Sequence, residues 1–185
     1  MTDRHRKLAA QHLETARSTS GFTGFFDGCC EPRNPGGTAG YGAVVFRGRY
    51  QVWQHSGMIP AAPTTSNNVA EYLAVIAIFE WLQLYDPKTP ISLFGDSRLV
   101  VCQLWGWPTP GRLWRIGGVD MDVGVREPGH YAAKAVEARE KLKLLPNCRG
   151  FWIPREDNTI ADYLSKAELI RAGVKFVIQP QEASA

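Results

Sequence analysis

An aspartate stands inside the first strongly apolar run of the chain. In the segment GFTGFFDG, residues 21–28, Asp27 directly follows Phe25 and Phe26 and directly precedes a glycine. Such a run is typical of a buried strand, and burying an unpaired charge costs several kcal/mol. The remainder of the sequence must therefore supply Asp27 with a partner or a use.

Composition and cysteine spacing limit the classes of protein to which this chain can belong. With 185 residues, 44% hydrophobic and 21% charged, we expect a polar N-terminal leader over residues 1–20 and a single domain over residues 21–185. No segment approaches the roughly 18 uninterrupted apolar residues of a membrane helix. The cysteines include an adjacent pair and no C-x-x-C spacing, which predicts reduced thiols in a cytoplasmic protein, without disulfides or a zinc site. We expect a monomer. The cysteines are Cys29, Cys30, Cys102 and Cys148.

The order of apolar runs predicts an α/β fold. GFTGFFDG and the hairpin YGAVVFRGRYQVWQHSG predict three antiparallel strands, and NNVAEYLAVIAIFEWLQLYDP has helical spacing, with Ser66 or Asn67 as its cap. A strand (ISLFGD), a helix (SRLVVCQLWG), a long loop (107–129), a helix (130–145), a strand (GFWIP), a helix (158–173) and a strand-like tail (VKFVI) follow. The prediction is a mixed five-stranded sheet, three antiparallel strands and then parallel additions, flanked by helices.

Four acids lie at the ends of these predicted elements. Asp27 and Asp96 each end a strand, Glu71 lies in the first turn of the long helix, and Asp162 lies in the first turns of the last helix. Taken singly, the helical acids have ordinary roles as caps, dipole partners or solvated residues.

Parallel pairing would bring two of these acids together. If the strands that end in Asp27 and Asp96 lie side by side, as a crossover helix between them requires, their carboxyl ends meet at the sheet edge where ligands gather. Like charges repel there unless a cation neutralises them, and oxygen ligands select Mg²⁺ or Mn²⁺. A divalent metal would then be the partner that Asp27 needs.

Several fragments in this order and spacing resemble ribonuclease H of type 1, over roughly residues 22–170. They are FFDG followed by NPGG and YGAVV, SNNVAEYLAV, FGDSRLVVCQL, and WIPREDNTIADYLSKA. The resemblance implies a ribonuclease H-like fold and hydrolysis of the RNA strand of an RNA/DNA hybrid, leaving a 5′-phosphate and a 3′-hydroxyl.

The resemblance also implies the catalytic and metal-binding residues, which would be Asp27, Glu71, Asp96 and Asp162. Two Mg²⁺ ions, with Mn²⁺ as a possible substitute, would activate a water and stabilise the leaving 3′ oxygen. Asp27 would bridge both ions, Asp162 would hold the ion on the water side, and Glu71 and Asp96 would hold the other. No organic cofactor is implied.

Substrate contacts are implied in the same way. In similar enzymes, amides at the start of the long helix touch the 2′-hydroxyls that distinguish RNA from DNA. Arg98 stands where many relatives have Gln or Glu, and is either a phosphate contact or a solvated cation. The implied substrate-binding residues are Gly28, Cys30, Asn34, Asn67, Asn68 and Arg98.

The segment before Asp162 departs from much of the family. Many type 1 enzymes carry a histidine there, whereas IPREDNTIAD contains none and resembles the histidine-lacking branch, with Arg155 and Glu156 in this loop. Asn158 matches a family position that helps to cap the last helix.

Two alternative functions and one surface stay open at this stage. The chain could be a hybrid-binding module without turnover, or a DNA strand transferase or exonuclease, because a shared fold does not fix chemistry. The four acids favour an enzyme, and SNNVAE favours a ribonuclease. The basic segment 134–155, with Trp105, Trp107 and Trp114 upstream, is either a phosphate-tracking face or a solvated helix face beside core tryptophans.

Overall fold

Five strands form one mixed sheet, and helices pack against both of its faces. The computed structural model describes residues 3–18, 20–106, 114–116, 119–123 and 129–177. The helices are α1 (Asp3–Ser18), α2 (Asn67–Tyr85), α3 (Arg98–Trp105), α4 (Ala132–Lys143) and α5 (Thr159–Arg171), with a short 3₁₀ helix at Arg155–Asp157. The strands are β1 (Phe22–Glu31), β2 (Thr38–Arg47), β3 (Tyr50–Ile59), β4 (Ile91–Gly95), β5 (Trp114–Ile116), β6 (Val119–Val123) and β7 (Cys148–Trp152).

The strand order in the sheet is β3-β2-β1-β4-β7. β1 pairs antiparallel with β2 and β2 with β3, whereas β1 pairs in parallel with β4 and β4 with β7. The predicted mixed sheet of three antiparallel strands with parallel additions is therefore confirmed. Phe25 and Phe94 are the last partners between β1 and β4, so Asp27 and Asp96 each lie two residues beyond that pair, at the same sheet edge.

Side chains of β1 alternate between two cores. Phe22 and Phe26 join the larger core, which β1 shares with α2, α3 and α4. Phe25 joins the smaller core on the opposite face, with Leu164 of α5. Asp27 has the same parity as Phe25, so its side chain also lies on the α5 side of the sheet.

Two glycines of β2 allow α5 to approach the sheet closely. A Cβ atom on Gly40 would lie 2.0 Å from the carbonyl oxygen of Ser165, and one on Gly42 would lie 2.4 Å from the Ser165 nitrogen. No larger residue fits at either position without moving the helix. The glycines therefore set the depth at which α5 lies beside β1 and β2.

The N-terminal segment forms a helix that packs on the domain. Leu13 of α1 contacts the smaller core, the His12 ring stacks on Phe151 with centroids 4.5 Å apart, and Arg6 pairs with Glu156 at 3.2 Å. The polar pattern predicted a leader before the domain and did not indicate this packing.

Two other segments differ from the sequence predictions. The loop predicted over 107–129 contains the short antiparallel pair β5 and β6 within its described part. The predicted strand-like tail is wrong for residues 174–177, which form no strand; there the Val177 amide donates to Glu31 Oε2 at 3.0 Å. Among the described helices, none has the length and apolar character needed to span a membrane.

Candidate active site

Three carboxylates converge where the parallel pairing of β1 with β4 ends. β1 itself continues to Glu31, paired with β2, so the prediction that Asp27 ends its strand is wrong. Asp27, Glu71 and Asp96 each place an oxygen within 4.8 Å of the other two. Asp27 is 3% exposed and Glu71 6%, and Asp96 is half-buried. The predicted proximity of Asp27 and Asp96 is confirmed, and it results from the parallel register of β1 and β4.

The start of α2 lies directly on β1, which brings Glu71 into the group; Glu71 lies just after the first turn of α2, not within it as predicted. Ser66 is the N-cap, and its hydroxyl accepts from the Val69 amide at 3.4 Å. A Cβ atom on Gly28 would lie 2.3 Å from the Glu71 nitrogen, so only glycine permits this contact. The backbone of Gly28 favours the ionised form of Glu71, against the larger effect of burial. One carboxylate oxygen of Glu71, Oε2, is buried and has no hydrogen-bond partner among the described residues.

Burial and neighbouring negative charge raise the pKa of Asp27 and of Glu71. Burial, followed by the charge of Asp96, raises the pKa of Asp27 to about 8, and the Ser165 hydrogen bond opposes that rise. Burial and then the charges of Asp27 and Asp96 hold the pKa of Glu71 well above its ordinary value. Ionising Asp27 and Glu71 beside Asp96 is therefore unfavourable unless a cation compensates the charge.

The donor set fits a hard divalent cation. Carboxylate oxygens from three separate elements converge, and the buried Oε2 of Glu71 lacks a partner. Such oxygen ligands suit Mg²⁺ and Mn²⁺ rather than softer metals. Asp27, Glu71 and Asp96 are thus the residues that could hold a metal ion.

Ser165 is a neighbour of the site that the sequence predictions missed. Its side chain is fully buried, and its hydroxyl donates to Asp27 Oδ2 at 2.5 Å. The available signal was its position three residues after Asp162, which places the two on one face of a helix.

Asn158 is tied to the strands rather than to the helix it precedes. It occupies the N-cap position of α5, but its side chain makes no capping hydrogen bond. Instead Nδ2 donates to the Phe26 carbonyl at 2.9 Å and to Asp96 Oδ1 at 3.1 Å. The predicted side-chain cap is therefore wrong, and Asn158 fixes the carboxylate of Asp96 relative to β1.

The fourth predicted acid, Asp162, lies outside the group of three. Its Oδ1 accepts from Arg155 Nη2 at 2.7 Å and its Oδ2 accepts from Lys166 Nζ. The charge of Asp162 still contributes to the raised pKa of Asp27. Asp162 thus borders the cluster while two cations neutralise it.

The six predicted substrate-binding residues differ in their surroundings. The thiol of buried Cys30 donates to the Arg33 carbonyl at 3.1 Å, and Gly28 lies beneath α2, so both have structural contacts. Asn34 Nδ2 donates to Asn67 Oδ1 at 2.6 Å, and the Asn67 amide donates to Asn34 Oδ1 at 3.1 Å, which joins the first loop to α2. Asn68 is half-buried in the first turn of α2, and Arg98 is exposed at the start of α3. Substrate binding by these six stays a prediction.

The basic segment is largely paired within the protein. Lys134, Lys141 and Lys143 each form a salt bridge, to Glu137, Glu80 and Glu140, and Arg139 donates to the Gln103 carbonyl at 2.7 Å. These contacts favour a solvated helix face over a phosphate-tracking one. Trp105 packs against Gly150 in the core, Trp107 lies outside the described residues, and Trp114 lies in β5.

Comparison with solved structures identifies the architecture. No family model matches the chain. A crystal structure of RNase H1 from the halophilic archaeon Halobacterium salinarum matches with 29% sequence identity and a TM-score of 0.59, over 81% of this chain and 98% of that one. This chain has a ribonuclease H-like fold.

Two further ribonuclease H structures match over similar lengths. LC11-RNase H1, solved in complex with an RNA/DNA hybrid, is 25% identical with a TM-score of 0.62, over 82% of this chain and 98% of that one. The N-terminal RNase H domain of rv2228c from Mycobacterium tuberculosis is 24% identical with a TM-score of 0.59, over 78% and 97%. The ribonuclease H-like chain therefore resembles type 1 enzymes over most of their length.

Proposed function

We propose that this chain is a metal-dependent endoribonuclease that hydrolyses the RNA strand of RNA/DNA hybrids and leaves a 5′-phosphate and a 3′-hydroxyl. The observation that carries the proposal is the convergence of Asp27, Glu71 and Asp96 within 4.8 Å at the carboxyl edge of parallel strands. The resemblance to LC11-RNase H1, solved with such a hybrid, supports the substrate class. The likeness to RNase H1 at 29% identity supports nuclease chemistry.

In this proposal the acids form the metal site. Asp27, Glu71 and Asp96 would be the main ligands and Asp162 the fourth, with Asp27 shared between two ions. Mg²⁺, or Mn²⁺ in its place, would supply activation of a water and stabilisation of charge on the leaving 3′ oxygen.

Two neighbours hold the acids in place. Ser165 fixes Oδ2 of Asp27, and Asn158 fixes Oδ1 of Asp96. Both side chains are at most 1% exposed, so each has little freedom to release its carboxylate. The ligand oxygens are thus oriented before any ion binds, which is how supporting residues tune metal sites.

Hybrid recognition is proposed at the junction of the first loop and α2. The hydrogen-bonded pair Asn34–Asn67 is exposed, and Asn68 stands three residues before Glu71 in α2. Amides are donors and acceptors that suit 2′-hydroxyls. We assign Arg98, at the start of α3 after Asp96, to a phosphate of the same substrate.

A cleavage assay on an end-labelled hybrid tests the proposal. We expect internal cuts in the RNA strand with Mg²⁺ or Mn²⁺, no cuts with EDTA, and loss of cleavage in Asp96→Asn, while Glu140→Gln on exposed α4 cleaves like the wild type. Unchanged cleavage by Asp96→Asn would refute the site. Hybrid binding without turnover would indicate a binding module, and joining or degradation of DNA would indicate a strand transferase or exonuclease.

A further inference from the structure

A lysine of α5 forms an ion pair with the carboxylate of Asp162. Lys166 follows Asp162 by four residues, so the two side chains lie on one face of the helix, and Nζ is bonded to Oδ2. The Lys166 side chain is 16% exposed and that of Asp162 22%. The ion pair is therefore sheltered from much of the solvent screening that weakens surface pairs.

The second cation on Asp162 is in a different situation. Arg155 bonds Oδ1, but its side chain is 66% exposed and it lies outside α5, in the short 3₁₀ helix. An exposed pair of this kind contributes little and can be released into water at low cost. Lys166 is the more strongly held partner of the two.

The other three acids have no such partner in the part of the chain that the structure describes. Among the described residues, no Lys, Arg or His lies within ion-pair distance of Asp27, Glu71 or Asp96, and Glu71 Oε2 is buried without any hydrogen bond. The charge of Arg155 acts on Glu71 from a distance, but the direct ion pairs of the described acids at this site are both made by Asp162. A divalent cation thus gains more by entering the cluster than by approaching Asp162.

We propose that Lys166 is a positioning residue that exchanges with a metal ion at Asp162. The first divalent cation enters the cluster of Asp27, Glu71 and Asp96 with Lys166 in place, and a second binds Asp162 only when Lys166 withdraws. The role of Asp162 as a ligand rests on the proposed function. Lys166 thereby lowers the affinity for the second ion relative to the first. It also keeps the Asp162 carboxylate oriented while the second ion is absent.

Counting bound Mn²⁺ by electron paramagnetic resonance in the full chain tests the exchange without substrate. For the wild type we expect one tighter and one weaker ion. Lys166→Met should tighten the weaker ion by about five- to tenfold, because about 1 kcal/mol of ion pairing no longer has to be broken. Lys166→Arg should keep the weaker affinity.

Lys143→Met is the matched control, because Lys143 also forms a salt bridge on a helix, with Glu140 of α4, away from the cluster. It should bind Mn²⁺ like the wild type. A merely structural helix pair predicts that Lys166→Met lowers the melting temperature and leaves both Mn²⁺ affinities unchanged. That result, or a weakened second ion, would overturn the proposal.

A measurement on the wild type keeps the proposal testable if Lys166→Met does not fold. In a ¹⁵N-lysine-labelled chain titrated with Mg²⁺, the Nζ signal of Lys166, assigned with Lys166→Arg, should move in the range where the second ion binds and stay unchanged during the first. An Nζ signal that is constant throughout would reject the exchange. If the chain shows this exchange but does not cut hybrids, the proposed function is refuted and the proposed role of Lys166 is still supported.

Discussion

Ser165 donates a hydrogen bond to Asp27 across a separation of 138 residues in the chain. The bond crosses from α5 to a buried interior position of β1, and it reaches the acid whose pKa burial raises to about 8. A hydroxyl that donates to a carboxylate stabilises the ionised form. Ser165 therefore opposes the burial that otherwise drives Asp27 toward its protonated state.

Ser165→Ala tests this contact. The substitution leaves a buried carboxylate oxygen without a donor, and we expect the free energy of unfolding to fall by about 1–3 kcal/mol. Urea denaturation in EDTA measures the change. Ser56→Ala is the control, since Ser56 bonds Glu168 at 2.9 Å in a less buried place and should lose less. An equal loss in both variants would show that the hydrogen bond to Asp27 stabilises the fold no more than an ordinary, less buried one.

The raised pKa of Asp27 predicts how the metal-free protein responds to pH. Its ordinary value is 3.8 and its value in the folded chain about 8, so between these values the folded state binds more protons than the unfolded state. Stability must then fall as pH rises, by up to about 1.4 kcal/mol per pH unit. The raised pKa of Glu71 acts in the same direction.

Thermal unfolding in EDTA from pH 4 to pH 9 measures this dependence. We expect Asp27→Asn to flatten the profile, and added Mg²⁺ to stabilise the wild type most at high pH, because the ligands must be deprotonated to bind. A wild-type profile that rises with pH over this window would contradict the assignment.

Asn158 offers a test that separates capping from positioning. A serine can cap a helix as well as an asparagine, but it is too short to bridge the Phe26 carbonyl and Asp96 as Asn158 does. We therefore expect Asn158→Ser to lose about 1–3 kcal/mol of stability and most hybrid cleavage. Denaturation and initial cleavage rates measure the two effects.

The matched control is Asn147→Ser. Asn147 also donates Nδ2 to a backbone carbonyl, that of Lys88 at 2.8 Å, but at an exposed position. It should stay close to the wild type in both measurements. Full activity in Asn158→Ser would show that a cap is all that this position supplies.

The local pattern of the sequence predicted the sheet edge and its acids because both follow from short segments. The strands are visible as apolar runs, although β1 extends four residues past its predicted end at Asp27, and a parallel crossover brings Asp27 and Asp96 together whatever the remaining packing. Glu71 follows because its helix begins at a recognisable cap, Ser66. These features depend on few residues that are close in the chain.

The contacts made by α5 could not be predicted in the same way. Ser165 and Lys166 reach the acids only because Gly40 and Gly42 admit the helix to the sheet at close range, and nothing local in either strand or helix encodes that pairing. The docking of α1 was missed for a related reason, since its sequence is polar on average and the contact rests on Leu13 and the ring of His12.

Glu71→Gln should separate stability from metal binding. Glu71 is buried, its pKa is held well above its ordinary value, and one of its oxygens has no partner. A neutral amide of the same shape removes the repulsion with Asp27 and Asp96, so the metal-free variant should be more stable than the wild type, increasingly so as pH rises.

The same change removes a ligand, so Mg²⁺ should no longer raise the melting temperature of Glu71→Gln. Glu80→Gln, on the same helix but 53% exposed, should keep the wild-type response to Mg²⁺. A metal-free Glu71→Gln less stable than the wild type at high pH would mean that the charge of Glu71 is already compensated without a metal ion.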